Sequence, residues 1–265
     1  MGGVQAPVLH RALPFDDPLL VRYSGSVKPL PPLPPGLLLD LDDTILTYDV
    51  LSQEMWQRTC AAFAARCGTD AGTLHRTLEE MRGWYWRDPE RSRAGRLRLD
   101  EARTEVVHLG LRGLGVDDRA LAAELAEDFR ANRDAAIGFL PGARETLDEL
   151  RRRGLRLALI TNGQSHLQRA KLQRFDLEPY FDVICIEGEM GFGKPDRRAF
   201  ESALAGLGLG PDETWMVGDN LAWDILGAQA LGIFSVWHDA RRRGLPAEPP
   251  AVPDHTICAL SELVG

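Results

Sequence analysis

The chain has 265 residues, 44% hydrophobic and 26% charged, with a formal net charge of -8. That length allows one large domain or two modest ones around a packed core, and the acidic balance argues against general attraction to nucleic acid. No apolar run reaches a membrane span, MGGVQAPVLH lacks a signal-peptide pattern, and Ala6 stands where a myristoylation motif requires Ser or Thr, so a cytoplasmic enzyme is expected.

Residues 1–36 read as a proline-rich arm ending in KPLPPLPPG. Proline at that density excludes helix interior and central strand; a stiff linker is the expectation, and a P-x-x-P docking ligand the alternative. Leu37, Leu38 and Leu39 then form a short apolar run suited to a strand buried on both faces. Residues 51–136 carry helical periodicity, with Met55, Cys60, Phe63 and Cys67 at helical offsets. About four helices are expected there, with Asp100 and Asp117 as N-caps and Gly113 and Gly115 near a helix end. From 139 onward helices alternate with the strands LRLALIT, FDVICI, TWMVGD and IFSVWH, and NLAWDILGAQALG reads as a helix. Such alternation predicts an α/β fold with a doubly wound parallel sheet and right-handed crossovers. The predicted organisation is a core of 37–50 and 137–265, with 51–136 inserted as an all-helical cap.

Ligands of open parallel sheets bind beyond the C-terminal strand ends. Four segments meet that condition: Asp40-Leu41-Asp42-Asp43-Thr44, Thr161-Asn162-Gly163, the loop Gly193-Lys194-Pro195-Asp196, and Gly218-Asp219-Asn220. Asp40 and Asp42, two apart in an extended chain, point the same way, and Asp219 arrives from another strand. Carboxylates without nearby His or Cys make a hard, oxygen-rich site suited to Mg²⁺. Lys194 adds a point charge, Thr161 a hydroxyl, and the amides of Asn162 and Gly163 precede a helix, where phosphate is favoured. A carboxylate can attack phosphorus, and a second can move the protons.

These motifs resemble the haloacid dehalogenase-like (HAD) hydrolase superfamily, over about residues 37–240. The D-x-D-x-[TV] motif is matched by Asp40, Asp42 and Thr44, the second motif by Thr161, the third by Lys194, and the fourth by Asp219 with Asp224. The resemblance implies a Rossmann-like core and a Mg²⁺-dependent phosphatase acting on a small phosphorylated metabolite through a phosphoaspartate. It implies that Asp40 is nucleophile and metal ligand. Asp42 would be general acid/base, with its backbone carbonyl on the metal. Thr161 and the Asn162 amide would bind the phosphoryl group, Lys194 would neutralise it and orient Asp40, Asp219 and Asp224 would serve the metal, and Thr44 would support the loop. Asp42 is the acid that dehalogenases of the superfamily lack. The insertion is similar to the C1 cap of subfamily I, and GDNLAWD has the spacing of pyrimidine 5′-nucleotidase and acylneuraminate-9-phosphatase relatives, one residue longer than in many phosphoglycolate phosphatases. A sugar phosphomutase on the same core, or a receiver-type phospho-ligand module, are the alternatives.

The remaining residues are read more plainly. Asp43 is expected to be a solvated or helix-capping acid facing away from the chemistry, Asp182 structural, and Glu187 and Glu189 part of a solvated loop. Of Trp84-Tyr85-Trp86, three consecutive residues that cannot share one helix face, Trp84 or Trp86 is a candidate specificity residue. Arg87, Arg91, Arg93, Arg96 and Arg98 read as a solvated or salt-bridged face, and Arg241, Arg242 and Arg243 as a surface turn. Cys60, Cys67, Cys185 and Cys258 form no C-x-x-C pair and read as reduced thiols; none of the six histidines looks like a ligand.

Overall fold

The computed structural model describes residues 30–265. Most of the expected N-terminal arm therefore lies outside the described residues; its last part packs Leu30 and Leu33 against the core. The chain then enters β1 (Gly36–Leu39), whose Leu37, Leu38 and Leu39 are fully buried. A 3₁₀ turn (Asp49–Leu51) leads into five helices: α1 (Ser52–Phe63), α2 (Ala71–Arg87), α3 (Pro89–Arg96), α4 (Leu99–Gly113) and α5 (Arg119–Ala136). The alternating part follows as α6 (Ala143–Arg152), β2 (Arg156–Thr161), α7 (Ser165–Arg174), β3 (Val183–Ile186), the one-turn α8 (Glu187–Met190), α9 (Arg197–Leu207) and β4 (Thr214–Gly218). A π-helical turn (Leu221–Ile225), the short α10 (Leu226–Gln229), β5 (Phe234–His238) and β6 (His255–Ile257) complete it.

The six strands form one parallel sheet in the order β3-β2-β1-β4-β5-β6. Period-two alternation explains the two helical layers. Leu37 and Leu39 point to one face with Leu157 and Leu159, where Leu147, Leu150 and Leu172 of α6 and α7 cover them. Leu38, Ala158, Ile160 and Met216 point to the other, under Phe200 and Ala203 of α9 and Ala228 of α10. Truncating any of these leucines to Ala should cost about 2–5 kcal/mol.

The helices α1–α5 have their own apolar cluster, built on Trp56, Leu74, Leu78, Val107, Leu111, Leu125 and Phe129. Two connections join them to the sheet side by side. Leu46 and Phe139 form an antiparallel bridge, Thr47 N–H donates to Gly138 O at 2.8 Å, and Leu140 N–H donates to Ile45 O at 2.9 Å.

Local details correct the sequence reading. The expected four helices are five because Pro89 cannot continue α2; Asp88 ends that helix and caps α3 by accepting from Arg91 N. The N-cap of α4 is Arg98, not the expected Asp100, and that of α5 is Asp118, not the expected Asp117. Asp100 sits in the first turn of α4, and Asp117 pairs with His108 at 2.8 Å. The strand β6 was not expected, because its three residues include polar His255 and Thr256 at a sheet edge. The segment expected as one helix after β4 opens with the π turn, which matters for Asp224 below. All four cysteines are free thiols.

Candidate active site

The strand order reverses direction around β1 and β4, so a crevice opens at their C-terminal ends. Asp40 follows β1 directly and is tied to the neighbouring strand by donating its N–H to Val217 O at 3.0 Å. Its two carboxylate oxygens are committed separately. Lys194 Nζ donates to Oδ1 at 2.6 Å, and Thr44 Oγ1 donates to Oδ2 at 3.0 Å.

Lys194, 2% exposed, also forms an ion pair with Asp224 Oδ1 at 2.6 Å. Asp224, expected to serve the metal, is 1% exposed. The π turn delivers it: both Asp224 N–H and Ile225 N–H turn back to Asn220 O, at 2.8 and 3.3 Å. Gly218 leaves room for it, since a Cβ there would collide with the Asp224 carboxylate. Burial opposes the charge on Lys194, yet Asp224 and then Asp40 push its pKa up. Burial raises the Asp40 carboxyl above its ordinary range, with Asp224 adding and Lys194 opposing. Asp219 is raised well above its ordinary range by burial and then by Asp40 and Asp224.

Two of these three carboxylates, Asp40 and Asp224, pair with the one ammonium. Asp40, Asp219 and Asp224 each offer an oxygen, and those oxygens lie within 4.8 Å of one another. This excess of negative charge on hard oxygen donors fits a divalent cation. The carboxylate of Asp42 stands outside the cluster. Lys171 Nζ, on α7, holds both of its oxygens at 2.6 Å, and lies 4.3 Å from the centre of the Tyr48 ring.

Asp43 is neither solvated nor idle. It is 7% exposed, has φ 61°, and its carboxylate accepts from the N–H groups of Tyr48, Asp49 and Val50 at 2.8, 2.8 and 3.1 Å. It caps the turn entering α1, the capping half of the sequence expectation. Burial and the Asp49 charge raise its pKa to about 6.

After β2, Gln168 of α7 organises the loop by donating to Thr161 Oγ1 at 2.6 Å and Asn162 O at 2.7 Å. The Asn162 side chain brackets the backbone of Lys194, donating to its carbonyl at 2.7 Å and accepting its N–H at 2.8 Å. The Gly163 amide, expected to face phosphate, instead donates to Glu187 at 2.9 Å. Glu187 corrects the expectation of a solvated loop, being 1% exposed, whereas Glu189 is exposed and paired with Arg169. Arg96 of α3 lies over Glu187, donating through Nε and Nη2 at 3.2 and 3.0 Å, and stacks on Trp223 at 4.6 Å.

A cleft of about 620 Å³ runs from these carboxylates up between the sheet and α1–α5. Asp40, Asp42, Thr161, Asn162, Lys194, Asp219 and Asp224 all line it. Trp86 lines it too, with Trp56, Arg103 and Arg133, which sequence reasoning missed. Trp84 is outside the lining, 48% exposed, with the Arg91 guanidinium 4.0 Å over its ring. Gln168 and Lys171 had one overlooked signal: three apart on a helix that follows the second motif, they share a face.

No helix among the described residues is long and apolar enough to cross a membrane. The haloacid dehalogenase-like hydrolase family model matches residues 35–232. The chain is 37% identical over 257 residues to the phosphoserine phosphatase of Thermus thermophilus, an alignment covering 86% of this chain and 96% of that one. It is 30% identical over 231 residues to the pyrimidine 5′-nucleotidase YjjG of Escherichia coli, covering 86% and 95%. Among solved structures, the magnesium-bound putative HAD-hydrolase YfnB of Bacillus subtilis superposes with a TM-score of 0.68 at 25% identity, covering 88% of this chain and 97% of that one. With the strand-end motifs gathered in one cleft, these likenesses establish that the chain belongs to the haloacid dehalogenase-like hydrolases and is a phosphatase.

Proposed function

We propose that the protein hydrolyses a small phosphomonoester with Mg²⁺, in two steps through a phosphoaspartate on Asp40, under a cap formed by residues 51–136. The observation that carries this reading is the separate tethering of the two acids: Asp40 on Lys194 and Thr44, Asp42 on Lys171. One carboxylate is oriented for attack while the other is kept apart for proton transfer. A divalent ion held by Asp40, Asp219 and Asp224, with the Asp42 backbone carbonyl, would offset the charge of the phosphoryl oxygens.

In the first step an Asp40 oxygen bonds to phosphorus, the bond to the leaving oxygen breaks, and Asp42 gives that oxygen its proton. In the second, Asp42 takes a proton from water, the water oxygen bonds to phosphorus, and the bond to Asp40 breaks, releasing phosphate. The proton gained by Asp42 serves the next turnover. Lys194 and the Thr161–Asn162 loop hold the phosphoryl oxygens throughout.

The test is release of inorganic phosphate with Mg²⁺ across phosphoserine, nucleoside monophosphates, phosphoglycolate and sugar phosphates. Turnover should need the divalent ion and vanish in Asp40→Asn. Retained turnover in that variant, or full activity under chelation, would refute the mechanism.

A further inference from the structure

The cap side of the cleft holds two buried guanidinium groups that the two-step chemistry leaves unused. Arg103 of α4 is 6% exposed and Arg133 of α5 is 5% exposed, and both line the cleft. They flank one aromatic ring, with their guanidinium carbons 5.4 and 5.6 Å from the centre of Phe129. Buried cations of like charge repel, and burial with the nearby Arg133 charge lowers the pKa of Arg103.

Each has one carboxylate partner, Asp100 or Asp134, and both acids line the same cleft. Arg103 uses only Nη1, on Asp100 at 3.1 Å, and the Asp100 side chain is 58% exposed. Arg133 uses Nε and Nη2 on a single oxygen of Asp134, whose side chain is 35% exposed. Among the described residues, Arg103 Nε and Nη2 and Arg133 Nη1 have no acceptor. A third donor stands beside them: Trp56, stacked on Phe129 at 3.9 Å and lining the same cleft, has its indole N–H buried without a partner. A buried donor left unmatched, as the Trp56 N–H is, is costly, and the open fork of Arg103 with Arg133 Nη1 and that indole N–H suits an oxyanion.

We propose that Arg103 and Arg133, with Trp56 beside them, form a second oxyanion subsite, so that the favoured substrates carry a carboxylate or a second phosphate on the leaving group. This deepens the phosphatase reading above and rests on it for the turnover assay alone. A nucleoside monophosphate, whose base and sugar are uncharged, would bring no anion to the remaining donors of either guanidinium group. Asp100 and Asp134 hold the pair in place without using Arg103 Nε and Nη2 or Arg133 Nη1.

The test compares matched compounds differing in the second anion: phosphoserine against phosphoethanolamine, phosphoglycolate against ethyl phosphate, and fructose 1,6-bisphosphate against fructose 6-phosphate. The first two pairs read a carboxylate and the third a phosphate. Each is measured twice, as kcat/KM with Mg²⁺ and as affinity without metal by quenching of tryptophan fluorescence. At least one pair should favour the anionic member by about tenfold or more in both measurements. Arg103→Gln and Arg133→Gln should bring that ratio close to one, and Arg103→Lys, which keeps charge but loses the fork, should fall between. No preference in any pair with the wild-type protein overturns the proposal. So does an unchanged ratio in Gln variants that melt as the wild type does; should those not fold, an unchanged ratio in Arg103→Lys overturns it. Preferential binding without any phosphate release would leave the subsite standing and refute the phosphatase mechanism instead.

Discussion

Arg96 of α3 grips Glu187 of α8 through Nε and Nη2 of its guanidinium, at 3.2 and 3.0 Å, and Glu187 in turn accepts the Gly163 N–H at 2.9 Å. A helix of the inserted unit is thereby bonded to the carboxylate that shapes the loop after β2. Leu99 N–H adds a second link by donating to Gln164 Oε1 at 3.2 Å. The placement of these helices against the sheet is therefore bonded directly to the shape of that loop.

Removing Arg96 leaves Glu187 buried and unpaired, so Arg96→Ala should destabilise by about 3–5 kcal/mol at the upper end, because Arg96 retains some solvent contact. Glu187→Gln keeps an acceptor for Gly163 and should cost less. Urea unfolding of both single variants and the double variant should give a coupling of about 1–3 kcal/mol. Additive effects would show that the pair does not act as a unit.

Lys194 is the shared counterion of Asp40 and Asp224. Replacing it with Met leaves buried acids facing each other and should lower stability by about 3–5 kcal/mol at neutral pH without metal. Added Mg²⁺ should recover part of that loss, since binding to the folded state alone stabilises it. Thermal melting with and without Mg²⁺ measures both effects, and equal melting temperatures for Lys194→Met and wild type would contradict the arrangement.

Gly218→Ala places a methyl group against the Asp224 carboxylate. Displacement of Asp224 by even a fraction of an ångström would loosen both the carboxylate cluster and Lys194. A fall of about 100-fold in kcat/KM is expected, with little change in secondary structure by circular dichroism. Activity close to wild type would mean that Asp224 tolerates the shift.

His238 of β5 is 2% exposed, and its neutral Nδ1–H donates to Asp43 O at 3.2 Å. Burial depresses its pKa below the ordinary 6.5. The unfolded chain therefore binds a proton that the folded chain refuses as pH drops below 6.5, so this residue's contribution to stability is present above that pH and is lost on acidification. Denaturant midpoints measured from pH 7.5 down to 5 should fall less steeply in His238→Gln than in wild type.

Most of the candidate site positions were legible because they sit where a strand stops. Leu37–Leu39 announce a buried strand, and the acids that follow it can only be at its end. The same logic picks out Thr161 and Asp219, and the order of the motifs identifies Lys194 and Asp224. Asp43 reads as a spare carboxylate until its three backbone donors are seen. Glu187, Arg96, Arg103 and Arg133 were not legible, because a charged residue on a helix or short loop has the same local pattern whether it faces water or a cleft.

The sequence by itself determined the alternation of strands and helices, the placement of the helical insertion, and the carboxylates, threonine and lysine at the strand ends. Periodicity and strand-end position are local properties, written within a few residues of each motif. Only the tertiary structure decided which carboxylate pairs with which cation: Asp40 and Asp224 with Lys194, Asp42 with Lys171, Glu187 with Arg96. Those pairings join residues distant in the chain, and the burial that gives them their energy exists only once sheet and cap enclose a common cleft.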